Sequence, residues 1–127
     1  MALIPLNTFK TKTSILTTST TATVYTAPIG VTSIILMTQV SNVSTETHTV
    51  TFAHYRNLPV LPDAQGNGAQ SANVVTELVK DFQIPGNDAA SMTTGKMIIE
   101  SLDSVRCFAD AEGVLKLTLS VLETANA

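Results

Sequence analysis

The sequence predicts an all-β chain, an antiparallel β-sandwich of about seven or eight strands in a single domain, of jelly-roll or immunoglobulin-like type. Three observations carry that prediction. Threonine is the commonest residue, and Thr, Val and Ile together favour pleated over helical backbone because branching at Cβ suits a sheet surface. No segment keeps a helical period of apolar residues. Short apolar runs recur along the chain with turn residues between them. At 127 residues the chain is long enough to bury a core of its own without disulfide staples.

Residues 1–20 read as a polar N-terminal arm, and residues 21–127 as the sandwich. The arm is expected to be disordered in isolation and free to add a strand to the sheet edge of an adjacent subunit. "TATVYTA" (21–27) is the first sandwich strand, and Pro28 to Gly30 turn the chain and fix its pairing with the next. That next strand, "VTSIILMTQVSN", alternates loosely, with Ile34, Leu36 and Val40 on one face and Ile35 and Met37 on the other. Both its faces are therefore expected to be covered. After the polar turn "SNVSTE", the run "THTVTFAHY" (47–55) alternates cleanly and completes a hairpin.

Residues 56–72, with Pro59, Pro62, Gly66 and Gly68, form a long connection rather than an element. Connections of this length usually make contacts. "NVVTELVKDFQI" (73–84) is a strand, "PGNDAAS" a turn, "KMIIESL" (96–102) a strand, and "SVRCFAD" (104–110) its neighbour across Asp103. The last strand is the clearest. In it Leu115, Leu117, Leu119 and Val121 face the core, while Lys116, Thr118 and Ser120 face water.

Composition narrows the function. The net charge is -3, and seven scattered Lys and Arg do not make the clustered footprint that a phosphate backbone requires, so no nucleic acid partner is expected. No apolar run approaches the length that spans a bilayer, so no membrane partner is expected either. The N-terminus lacks a positive n-region and a signal-length apolar stretch, which implies synthesis in the cytoplasm. A chain that is 44% hydrophobic and 13% charged carries much apolar surface for a small domain, and neighbouring subunits would cover part of it.

Groups able to do chemistry are few. His48 and His54 lie on one face of a strand about 20 Å apart, too far to share a metal. Asp81, Asp88, Glu100, Asp103, Asp110 and Glu112 fall in or beside turns, where carboxylates satisfy local backbone donors. "PDAQGNGAQ" (62–70) lacks the alternating ligands and closing Glu of a calcium loop. Cys107, the single cysteine, sits in a strand and reads as a small buried hydrophobe. Tyr25 and Tyr55 are read as core or strand-pair residues. Asn42-Val43-Ser44 fits a glycosylation sequon by chance. No catalytic residue, cofactor or metal is assigned, and the chain is not expected to be an enzyme.

Three segments form a set: "TVYTAPIGVTSIILMTQVSNV" (23–43), "TELVKDFQIPGNDAASMTTGKMIIESLDSVRCFAD" (76–110) and "LKLTLSVLE" (115–123). In that order they resemble small virion structural proteins of tailed bacteriophages, particularly large marine and cyanophage-type myoviruses. One departure is Leu102, where the family pattern favours Gly before Asp-Ser. The resemblance implies a place in the virion, as a capsid decoration or cement protein, or alternatively as a neck, tail or fibre component, including a host-binding adhesin module. The implied partners are other virion proteins and further copies of the chain, a trimer being favoured because shells have three-fold sites. The residues expected to form interfaces are Asn7, Phe9 and Lys10 of the arm, Leu58, Val60, Leu61, Gly66 and Gly68 of the long connection, and Pro85 and Asn87 of the turn.

Overall fold

A computed structural model describes residues 7–56, 61–62, 69–70 and 74–125. The strands are β1 (Asn7–Ile15), β2 (Thr23–Thr26), β3 (Val31–Asn42), β4 (His48–Arg56), β5 (Leu61–Pro62) and β6 (Ala69–Gln70), then β7 (Val74–Ile84), β8 (Ala89–Ala90), β9 (Met97–Ile99), β10 (Ser104–Ala109) and β11 (Leu115–Ala125). One sheet runs β1-β11-β3, with β8 and β9 taking successive places along the far edge of β3. The other runs β2-β10-β4-β7, and β5 pairs with β6 as a separate ribbon.

With β8 and β9 counted as one interrupted strand and the ribbon set aside, the chain order is 1-8-3-6 in one sheet and 2-7-4-5 in the other. That is the jelly-roll order, and it excludes the immunoglobulin-like alternative, whose first two strands share a sheet. The predicted alternation of β11 holds. Leu115, Leu117, Leu119 and Val121 are at most 1% exposed, each burial stabilising by about 1.5–3 kcal/mol. From the facing sheet, Val50, Phe52, Val105 and Cys107 meet them at a similar depth.

The pairing expectations need correction. β2 does not pair with β3, β3 does not pair with β4, and β9 does not pair with β10. In each case the two strands lie in opposite sheets, because two one-sided apolar faces bury each other only when stacked. The β3–β4 crossing is tied by Asn42. Its Nδ2 donates to the carbonyls of Glu46 (2.8 Å) and Ile84 (2.9 Å), and its Oδ1 accepts from the N–H and Oγ of Ser44. The side chain of the sequon is thus buried and fully engaged.

The arm is corrected as well. Residues 7–15 pair along their whole length with β11 of the same chain, from Asn7 opposite Thr124 to Ile15 opposite Lys116. Main-chain hydrogen bonds hold this strand, since its side chains are nearly all exposed. The long connection is not wholly irregular, since it contains the β5–β6 ribbon, with Leu61 opposite Gln70.

The loose alternation of β3 has a definite cause. Opposite β11 the register jumps from Met37–Ser120 to Ile35–Val121, leaving Leu36 as an extra residue. This β-bulge reverses the inward parity, so Ser33 and Ile35 point inward before it and Thr38, Val40 and Asn42 after it. Ile34 and Leu36 therefore do not share a face with Val40. They lie on the outer face with the exposed Met37, while Ile35 is fully buried.

Candidate functional site

Glu123 follows Val121 on the inward row of β11, so the strand's alternation carries a carboxylate into the sandwich, where it is 8% exposed. Tyr25 donates its hydroxyl to Glu123 Oε2 at 2.5 Å, and Ser33 Oγ lies 2.6 Å from the same hydroxyl. Lys10 Nζ sits 2.9 Å from Glu123 Oε1. Burial works to raise the Glu123 pKa, but the hydrogen bond from Tyr25 and the contact with Lys10 outweigh it and hold the carboxyl below its ordinary value. Burial, then the bond to Glu123, pushes the Tyr25 hydroxyl up. Near neutral pH, then, the acid is ionised and the phenol protonated. The arrangement locks β1 and β2 together and offers no poised proton donor or base.

A second charged cluster closes the end of β4. Asp103 is 2% exposed, with Arg56 Nε 2.6 Å from its Oδ2 and His54 Nε2 at 3.8 Å. The short Arg56–Asp103 contact lies off the line of a hydrogen bond, so the attraction is mainly Coulombic. Glu100 Oε2 takes the other side of Arg56, 2.5 Å from Nη2. Burial lowers the His54 pKa, against the pull of Asp103, and leaves the imidazole neutral at neutral pH. Asp103 is thus more than the turn carboxylate expected from the sequence.

Several other groups are occupied or inert. His48 Nδ1 lies 2.9 Å from Asp110 Oδ1, and Asp88 Oδ1 accepts from the Ala89 N–H at 2.8 Å. Cys107 is 1% exposed, and burial pushes its thiol up to about 12, where no nucleophilic thiolate forms near neutrality. Tyr25 is a buried core residue, whereas Tyr55 carries the Arg106 guanidinium 4.1 Å from its ring centroid. Among the described residues, no group of three or more His, Cys, Asp or Glu is placed to hold a metal ion.

The expected interface residues are dispersed. Asn7 and Phe9 point outward from β1, while Lys10 and Lys12, opposite Val121 and Leu119, point inward. Pro85 and Asn87 are exposed, yet their turn leans on its own chain, since the Asn87 N–H donates to Ser44 O at 3.0 Å. Leu58, Val60, Gly66 and Gly68 lie outside the described residues, and Leu61 is described by its backbone pairing.

Two apolar surfaces were not anticipated. An open groove of about 460 Å³ lies between β7 and the β8–β9 segment, lined by Leu78, Val79, Phe82, Met92 and Met97 with Lys96. The other is a row straight across the outer face of the first sheet. Register sets Phe9 opposite Leu122, Leu122 opposite Ile34, and Ile34 opposite Ile98. At the usual strand spacing this row is about 14 Å long. Its ends are open to solvent, Phe9 73% exposed and Ile98 60%. Around the row stand Thr11, Thr13, Thr118, Ser120, Met37 and Gln39. Among the described residues, the outward positions on the strands of this sheet carry a single charge, Lys116.

No family model matches the chain, and no curated protein matches it. Among solved structures, a match comes from the crystal structure of the T13 IBDV viral particle, with 8% identity and a TM-score of 0.49. The match covers 96% of this chain and 32% of that one, so the present chain spans about a third of the length of the chain it matches.

Proposed function

We propose that the chain is a non-enzymatic structural protein of a virion, a decoration or cement protein on the head of a tailed bacteriophage. The observation that carries this reading is where the polar and apolar side chains stand. Inside, Glu123 is engaged by Tyr25, and Asp103 by the half-buried Arg56 and His54. Outside, Phe9, Ile98, Leu78 and Phe82 face solvent, the reverse of what an isolated catalytic domain requires. Jelly rolls are used in this way in viral shells, where modest contacts repeated over many copies add up. The resemblance read in residues 23–43, 76–110 and 115–123 to virion proteins of tailed bacteriophages supports this choice of particle.

The test is the copy number of the chain per particle, measured by quantitative mass spectrometry of purified virions. A number close to that of the major shell protein is expected, together with a lower melting temperature for heads that lack the chain. A few copies confined to one vertex would overturn the cement reading in favour of a neck, tail or fibre component.

A further inference from the structure

We propose that the outer face of the β1-β11-β3-β9 sheet pairs with the same face of a second copy, about a two-fold axis that runs along the strands between β11 and β3. The row Phe9–Leu122–Ile34–Ile98 crosses the whole sheet, and such an axis lays it upon itself. Phe9 then meets Ile98 of the second copy, and Leu122 meets Ile34. Two sheet faces stacked in this way resemble the packing inside a β-sandwich.

Three observations favour a second copy over a different partner. A face that meets itself brings like groups close to each other, so it must be nearly free of charge, and this one carries only Lys116 on its strands among the described residues. Lys116 lies opposite Ser41 in the register, so the same axis places it over Ser41 of the second copy, one strand spacing of about 4.8 Å to the side of its own counterpart. The extent is sufficient as well. β1, β11 and β3, 9, 11 and 12 residues long, with the short β8 and β9 beside them, cover roughly 570 Å², so two faces bury about 1,100 Å², above the ~1,000 Å² that a specific interface needs. Finally, the β1 edge of the sheet is protected against strand addition. At the β1 edge of this sheet Lys10 and Lys12 turn inward, a device that blunts an edge and leaves the face available.

This inference does not depend on the virion reading, because it concerns the purified 127-residue chain by itself. Sedimentation equilibrium over a range of loading concentrations is expected to give a species of twice the 13.4 kDa chain mass. Phe9→Ser combined with Ile98→Thr, both at exposed positions, is expected to weaken that association at least about tenfold while leaving the melting of the fold in place. A second measurement needs no substitution. Met37, on the same face and 41% exposed in the single chain, should become protected from hydroxyl-radical oxidation as the protein is concentrated. A monomer at every concentration, a trimer, a dimer unaffected by the double substitution, or Met37 oxidation independent of concentration would each overturn the proposal.

Discussion

Leu102 holds a left-handed backbone conformation, φ 69°, while 42% exposed. A β-carbon in that region costs about 1–2 kcal/mol, and glycine gives back about 0.4–1 kcal/mol through the freer unfolded chain. Leu102→Gly is therefore expected to raise stability by up to about 1 kcal/mol, read as a higher urea midpoint; a lower midpoint would show that the leucine side chain contributes packing. Acid sensitivity also resides in single residues. His54, held below its ordinary value of 6.5, resists a proton that the unfolded chain accepts, so stability should fall as pH drops below 6.5 towards its folded value. Glu123, held below 4.5, adds a second loss as pH drops below 4.5, because the folded carboxylate stays ionised longer than the unfolded one. Melting curves against pH should lose the first step in His54→Gln and the second in Glu123→Gln, and an unchanged profile in either would refute the assignment. Glu123 was legible in principle, since it continues the inward row of Leu115 to Val121. What no local pattern shows is that Tyr25 and Lys10 arrive there from two other strands.

Among the elements, most of the long strands were legible, β1 being the exception read as an arm, and their partners were not. Period-two alternation marks a strand whichever neighbour it takes, so β4 and β11 were readable from their own residues. Pairing was misjudged because adjacent strands were assigned to hairpins. In this topology only the β4–β7 connection stays within a sheet, and every other link between the eight principal strands crosses the core. The bulge at Leu36 hid a different fact, since one extra residue makes a regular strand look two-faced. Turns offer a sharper test. A β-carbon added to Gly86 would fall on the backbone of Thr45, where the β7–β8 turn packs against the β3–β4 loop. Gly86→Ala should destabilise by about 1–3 kcal/mol, measured by urea unfolding, and a neutral result would mean that the two loops separate easily.

For the whole molecule, pairing is dominated by residues far apart in sequence. β1 waits for β11 at the other end of the chain, and β11 must lie between β1 and β3 before the first sheet exists. Chains with this degree of non-local pairing refold in milliseconds to seconds or more slowly. Stopped-flow refolding should show protection of β1 and β3 appearing together with that of β11, and early protection of β3 with β4 alone would contradict the topology. Exposure of Cys107 provides a convenient clock. A thiol pushed up to about 12 by burial should react with disulfide reagents only as fast as the fold opens, so labelling faster than unfolding would reveal a local opening around β10.

The meeting of Asn7 with Thr124 has a practical consequence for anyone handling the protein. Both described ends leave from one corner of the molecule, two residues from Phe9 on one strand and two from Leu122 on the other. An affinity tag or fluorescent fusion joined close to Asn7 or Thr124 would sit beside the apolar row and mask the association it was meant to report. The exposed turn at Glu112 and Gly113, where φ is 78° and β11 begins, lies at the far end of that strand and is the better place to insert a label.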